Sequence, residues 1–456
     1  MAMKKLALAT LCAILLSGCA GQTNTGWGQA DNILSRIKAP QFPAKDFSIA
    51  EYGAAADGKT DCTAAINKAI TAANKAGGGR VVVGGGAYLS GAIYLKSNVN
   101  LYISQDAVIK FSTDPNKYLP AVFTRWEGVE CMNYSPLIYA YKEKNIAITG
   151  KGTLDGQGSN ENWWNWRRGL QGKDRKELFE QGRDGVPVEQ RQYGGKYLRP
   201  TMIEPVKCEN VLIEGVTILR GPFWHIHPLL SQNIIVRNVR VDGMGPNNDG
   251  CDPESSKDVL IDGCFFNTGD DCIAIKSGRN SDGRRVNIPS ENIIVRNCTM
   301  KAGHAGVAVG SEITGGARNI FVENCTMDDP NLDRGFRLKT NAVRGGFIEN
   351  FYAKNIAIGQ VKQAVLAIDF NYPDIEKGNY KPIVRNINLE NVNSNKSKFA
   401  LFLQGFNDDP ITDVTLKNCT FDNVKETDVI SNVKNLVFEN VTINGKLASA
   451  ENSEAE

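Results

Sequence analysis

The chain has 456 residues, 42% of them hydrophobic, and a formal net charge of +2. That apolar content excludes a globally disordered chain, and the near-balanced charge excludes a strongly basic binder of nucleic acid or anionic membrane. Gly is abundant at 45 copies, which suits a fold with many turns, whereas His occurs three times, as His225, His227 and His304.

The first elements form a secretion signal. Met1–Lys5 is basic and Leu6–Leu16 is apolar, too short a stretch to span a bilayer. Leu16-Ser17-Gly18-Cys19 then resembles a bacterial lipoprotein cleavage site. The resemblance implies that residues 1–18 are removed and that Cys19 becomes a lipidated N-terminus in the cell envelope, periplasmic or at the cell surface. Contact with membrane is then expected only through that anchor, since no other segment is apolar enough to cross. Residues 19–45 are polar and irregular and read as a tether.

A strand signal follows at Phe47–Gly53. Residues 61–76 read as a helix, with Thr60 or Asp61 as cap. Ile66, Ala69, Ile70 and Ala73 share one face, and Gly77-Gly78-Gly79 stops it. Val81–Val83 begins another strand. From about residue 145 one phrase recurs: Asn or Asp, alternating apolar residues, Asn or Gly, then a second apolar run. Copies start at Asn145, Asn210, Asn233, Asp258, Asn292, Asn319, Asn386, Asp413 and Asn435. The five starts from Asn210 to Asn319 lie 23, 25, 34 and 27 residues apart. Short β signals at such a period predict an all-β, single-stranded parallel β-helix over residues 46–445, with the 61–76 helix covering its N-terminal end and residues 446–456 as a polar tail.

The repeat also accounts for the cysteines. Of eleven, Cys12 and Cys19 belong to the signal. Six places after successive starts lie Val216, Val239, Cys264, Cys298, Cys325, Cys419 and Val441. Val and Cys alternate in this slot as small core residues do, which predicts a thiol ladder rather than a disulfide framework.

Four segments align within the repeat: Asn248–Ser256, Gly269–Ser277, Gly303–Ser311 and Leu332–Thr340. The alignment puts Asp249, Asp270, His304 and Asp333 in one column. Columns of a solenoid stack about 4.8 Å apart, so Asp249, Asp270 and Asp271 are expected to crowd together, with His304 one coil on and Arg337 and Lys339 one further. Crowded carboxylates favour one protonated and one ionised group, as acid–base chemistry requires. Arg337 and Lys339 offset the charge and suit a substrate carboxylate. The set fits hydrolysis of an acidic sugar chain.

These residues also carry a family resemblance. Asn247-Asn248-Asp249, Gly269-Asp270-Asp271, Gly303-His304-Ala305-Gly306 and Arg337-Leu338-Lys339 resemble, in order, the four motifs of the polygalacturonase family of glycoside hydrolases, family 28. The resemblance covers about residues 45–445. It implies a right-handed β-helix that hydrolyses α-glycosidic bonds of pectic polysaccharide or oligogalacturonides. It implies inversion at the anomeric carbon, although one-coil spacing alone favours retention. Carried over, Asp270 is the general acid and Asp249 and Asp271 activate water. Asn247, His304, Arg337 and Lys339 bind substrate, with His304 also supporting the acid's protonation. Asn248 replaces the family's Thr, and the His304 loop carries one extra residue. Likeness to bacterial exo-acting members around Gly269–Arg285 suggests release of terminal galacturonate and makes Arg279, Arg284 and Arg285 candidate cleft residues. No cofactor and no metal is expected.

Two features stand apart. Trp224-His225-Ile226-His227-Pro228 puts two imidazoles on one side of a strand but offers no third metal ligand, so packing or cleft lining is expected. Residues 155–200 interrupt the repeat with Trp163-Trp164-Asn165-Trp166-Arg167-Arg168, either a substrate-binding loop or a flap packed by its own aromatics. The competing functions are a rhamnogalacturonan or xylogalacturonan hydrolase, a Ca²⁺-dependent β-helix lyase, and a non-catalytic glycan-binding solenoid. The sequence sets no oligomeric state.

Overall fold

Parallel pairing links each coil to the next. In the computed structural model, which describes residues 26–449, Lys144–Gly150 pairs with Glu209–Glu214, which leads on to Gln232–Arg237, Lys257–Asp262, Ser290–Arg296, Ala317–Glu323 and Phe347–Gln360. Parallel crossovers of this kind are right-handed, and the chain is the expected right-handed β-helix. Registers stack Ile146, Val211, Ile234, Val259, Ile293 and Ile320 inside the coil. All six are buried, and each contributes about 1.5–3 kcal/mol of apolar burial.

The repeat starts read from the sequence form a ladder of amides. Asn145, Asn210, Asn233, Asn292 and Asn319 all have φ between 52° and 61°, a left-handed backbone that Asn tolerates. Each side chain donates to the one before it: Asn210 to Asn145 at 2.8 Å, Asn233 to Asn210 at 2.6 Å, Asn319 to Asn292 at 2.9 Å. The ladder breaks between Asn233 and Asp258, because a carboxylate cannot donate.

That break is where the N-terminal segment docks. Residues 19–45 were expected to be a tether, and the structure corrects this for their described part. Helix α1 (Trp27–Arg36) buries Ala30 and Ile33 against the outward-facing Leu212, Ile235, Leu260, Ile294 and Phe321. The Lys38 N–H then fills the vacant acceptor of Asn233 at 3.0 Å, and Arg36 pairs with Asp258 at 2.8 Å.

Helix α2 (Thr63–Lys75) covers the N-terminal end as expected, burying Ile66, Ala69, Ile70 and Ala73. The N-cap position is Cys62, not Thr60 or Asp61, and Asp61 just before it accepts from the Thr63 N–H at 2.9 Å. The strand expected at Phe47–Gly53 is shorter, Asp46–Ser48, and continues as a 3₁₀ turn. At the other end Lys446–Leu447 folds back antiparallel on Thr442–Ile443, so the tail begins after this strand.

Val216, Val239, Cys264, Cys298, Cys325, Cys419 and Val441 are all at most 1% exposed. The nine cysteines among the described residues are free thiols, and burial together with the flanking thiols of Cys264 and Cys325 pushes Cys298 up. The ladder is apolar packing, so a reductant should leave the melting temperature unchanged. A drop of several degrees on adding dithiothreitol would reveal a disulfide.

A second wall carries the site. Ile273–Ile275, Val307–Val309, Arg334–Lys339 and Ala364–Asp369 pair in parallel, and earlier coils join them through bridges Ile203 to Ile226, Ile226 to Cys251, and Cys251 to Ile273.

Candidate active site

A cleft of about 620 Å³ lies on the outer face of this second wall. Three segments outside the repeat raise its sides. An antiparallel hairpin, Val122–Trp126 with Val129–Asn133, brings in Glu127 at its turn. The 155–200 insertion brings in Arg167 and, from helix α3 (Gln171–Arg183), Arg175. The loop after Ala364–Asp369 brings in Tyr372, Asp374 and Ile375.

The register differs by one residue from the sequence alignment at the first motif. Cys251 opposes Ile273, not Cys272, and the Gly250 N–H donates to the Asp271 carbonyl at 3.0 Å. Asp249 therefore stacks on Asp271, and Asn248, not Asp249, falls opposite Asp270. Asn248 itself is turned inward and fully buried. Its amide donates to the Gly221 and Phe223 carbonyls at 2.9 and 3.0 Å. The later columns hold as aligned, with Ile273, Val307 and Phe336 in register.

The three aspartates do meet. One oxygen from each of Asp249, Asp270 and Asp271 lies within 4.8 Å of the others. Such a trio could receive a cation, but two members already have one. Lys339 donates to Asp271 at 2.6 Å and His304 bonds Asp270 through Nδ1 at 2.9 Å. The extra residue in the His304 loop does not displace the imidazole from the acid.

Charge is shared unequally among them. The hydrogen bond it donates to Asp270 lifts the His304 imidazole to about 9. Burial pushes Asp270 up, yet His304, with Lys339 and Lys276 behind it, lowers it overall. The proton of this pair therefore rests on His304. Burial, then Asp252 and Asp270, push Asp249 well above the carboxylate range. Asp252 is fully buried behind it, and burial pushes it to about 8. Lys276 stands 3.5 Å from Asp249 and 3.6 Å from Asp252, but also 3.4 Å from Glu312. Two dry carboxyl groups facing part of one ammonium retain a proton between them.

The remaining expected site residues are also in place. Asn247 lines the cleft and accepts from the buried Arg199 at 2.8 Å. Arg337 lines it beyond His304, 5.5 Å from the Tyr372 ring centroid. Arg279 lines it too, whereas Arg284 packs over Tyr380 and Arg285 pairs with Glu130 and Asp282 outside it. His225 and His227 are packing groups, fully buried, and neither lines the cleft. His225 Nδ1 donates to the Asp249 carbonyl at 2.8 Å, fixing that turn. Burial pushes His227 down, but Glu204 and Glu254 on either side lift it to about 9. In the insertion Trp163, Trp164 and Trp166 pack against the main core, while Arg167 lines the cleft.

Sequence reasoning missed Lys276, Asp252, Glu312 and Glu127. A turn signal, Glu127-Gly128 between two apolar runs, marks the hairpin. The buried ions carry no local signal, since their partners are about a coil away.

The comparisons with known proteins agree with this geometry. The model for glycosyl hydrolases family 28 matches residues 187–443, and one for rhamnogalacturonase A/epimerase, pectate lyase-like, matches residues 47–114. A probable polygalacturonase of Vitis vinifera is 29% identical over 427 residues, covering 89% of this chain and 80% of its own. An exo-poly-alpha-D-galacturonosidase of Dickeya chrysanthemi is 27% identical, covering 87% and 71%. A solved hyperthermoactive exopolygalacturonase of Thermotoga maritima is 42% identical, with a TM-score of 0.89 over 92% of this chain and 96% of that one. With more than half of its length matched, and with its acids assembled on the wall of a right-handed β-helix, the chain belongs to the glycosyl hydrolases of family 28.

Proposed function

We propose that the protein is a polygalacturonase that hydrolyses the α-glycosidic bonds of pectic galacturonan and releases galacturonate from a chain end. The observation that carries this reading is the aspartate trio with His304 and Lys339 in place, at the floor of a cleft that also presents arginines. The exo direction is supported by the walls. The Gly128 carbonyl accepts from the Arg279 N–H at 2.9 Å, and Asp374 pairs with the Arg279 guanidinium at 2.8 Å. Hairpin and loop thus converge on one residue and close that side of the cleft. A closed side admits a chain end in preference to a polymer running through.

Asp270 serves as general acid. It receives the pair's proton from His304 along their 2.9 Å hydrogen bond and passes it to the glycosidic oxygen. Asp271, held by Lys339, takes the proton of the attacking water, with Asp249 orienting that water. Arg337 and Lys339 face the sugar carboxylate, and Asn247 adds an amide. Inversion rests on the family resemblance, and NMR of the first-formed anomer tests it.

Product profiling on polygalacturonate and rhamnogalacturonan tests the function. Monomer from the outset of the first digestion is expected. A ladder of oligomers would mean endo attack, cleavage of rhamnogalacturonan alone would move the substrate, and ultraviolet-absorbing products would mean elimination. Release of no sugar from either polymer would leave a binding solenoid.

The Asp270–His304 pair sets a pH expectation. Activity should fall as pH rises through about 9, where the pair loses its proton. In His304→Gln the proton must be held by Asp270 alone. The alkaline limb should then move to lower pH, with the loss larger at pH ~8 than at pH ~5. An unchanged limb would remove His304 from proton handling.

Cys19 lies outside the described residues. We propose, from the signal sequence, that it carries lipid and holds the enzyme in the cell envelope. Labelling with radioactive palmitate, lost in Cys19→Ala, tests this.

A further inference from the structure

Nearly every charge in the cleft is answered by the protein itself. Glu127 meets Arg175 at 2.8 Å, Asp271 meets Lys339 at 2.6 Å, and Asp374 meets Arg279 at 2.8 Å. Two guanidinium groups lining the same cleft, Arg167 and Arg337, have no acidic partner within 4.0 Å among the described residues. An unanswered cation pointing into a site is free to take an anion from a ligand.

The two stand on opposite sides of the aspartates along the solenoid axis. Arg337 lies three coils beyond Asp249, through the pairings Cys251 to Ile273, Ile273 to Val307, and Val307 to Phe336. Arg167 comes from the other direction. Its neighbour Trp164 donates to the Gly221 carbonyl at 3.0 Å, one coil before Asp249. The charge of Arg167 is felt at Arg199, the residue that holds Asn247.

Arg167 is exposed but its backbone is braced. It sits in the single turn Trp166–Leu170, and Trp166 packs on Trp163 at 4.9 Å, Tyr197 at 5.3 Å and Tyr134 at 6.1 Å between centroids. A guanidinium on a fixed turn loses less freedom on binding than one on a loose loop. The aromatics of the insertion thus position the arginine and do not themselves line the cleft.

We infer that Arg167 binds the carboxylate of a second uronate unit, on the opposite side of the scissile bond from the unit held by Arg337. The inference rests on the galacturonan reading above and sharpens its substrate. Two adjacent free carboxylates are then read at once. A methyl ester on either unit removes one contact, and a strictly alternating acidic–neutral chain offers only one.

Steady-state kinetics on de-esterified galacturonate oligomers and on their methyl-esterified counterparts test this, with Arg167→Gln and Arg167→Lys. Wild type should prefer the free acids. Arg167→Gln should raise KM for the free acids by roughly ten-fold or more, the scale of one charge-assisted hydrogen-bond pair. It should leave KM for the esters little changed, so that the preference collapses, and Arg167→Lys should recover part of it. An exposed site should leave the melting temperature of both variants at the wild-type value. Equal changes on both substrates, or none, with a working wild type would overturn this inference alone. A wild type that cleaves no galacturonate oligomer would overturn the functional reading and this one with it.

Discussion

Asp270→Asn should reduce hydrolysis of polygalacturonate by roughly 100- to 10,000-fold, the range for loss of a general acid, with the circular dichroism spectrum unchanged. The amide keeps the shape of the side chain but cannot hand a proton to the leaving oxygen. It also deprives His304 of the partner that lifts it to about 9. The sign of the stability change follows. A raised imidazole stabilises the fold fully below its ordinary value of about 6.5, and loses that contribution as pH rises through about 9. The variant should therefore be slightly less stable than wild type at neutral pH and equal to it above pH ~10. The effect is small because His304 is half-exposed and screened. A rate within ten-fold of wild type would assign the acid elsewhere.

Lys276→Met should cost about 3–5 kcal/mol at neutral pH, the scale for removing one partner from a buried ionic group. The ammonium is 4% exposed, lies among Asp249, Asp252 and Glu312, and sits 4.4 Å from the Trp224 ring centroid. Met fills the space and leaves three buried carboxyls with less counter-charge. Glu312 shows the direction with pH. Burial pushes it up, but Lys276, Arg344 and Arg279 lower it strongly overall. A lowered carboxyl stabilises the fold above its ordinary value of about 4.3, and that contribution disappears as pH falls. The deficit of the variant should thus be full at pH ~7 and shrink only as pH falls below about 4.3, so that it is smaller at pH ~3. Denaturant melts at both values read it. A deficit under about 1 kcal/mol, or one independent of pH, would mean that the cluster is not ionised as described.

The amide ladder was legible because Asn and Asp are among the few residues that accept a left-handed backbone, so these two residue types mark the coil starts. The core followed from alternation, and the aspartates followed from their motifs. The slip at Asp249 was not legible, since Asn248–Ser256 and Gly269–Ser277 align equally well by residue type with or without it. The bridge of Cys251 to Ile273 and the backbone bond from Gly250 to Asp271 decide it. Helix α1 was in view and overlooked. Trp27, Ala30, Ile33, Leu34 and Ile37 keep helical spacing, but the surrounding polar composition outweighed it. Helix α3 has two adjacent apolar anchors, Leu178 and Phe179, and no periodic stripe, so its form comes from the partners it meets. Lys276 acquires its role from Asp249 and Glu312, 27 and 36 residues away, which only the coil stacking brings near.

The gap in the amide ladder at Asp258 bears on how the molecule is held. The clasp of Lys38 and Arg36 ties the chain to the outer face of the first sheet, while the cleft opens from the second wall. A load applied upstream of Trp27 reaches the back of the very coils that carry the aspartates, since Asn233 opens the coil of Asp249 and Asp258 that of Asp270 and Asp271. With a lipid on Cys19, as proposed, the enzyme would hang by its back with its cutting face toward the polymer.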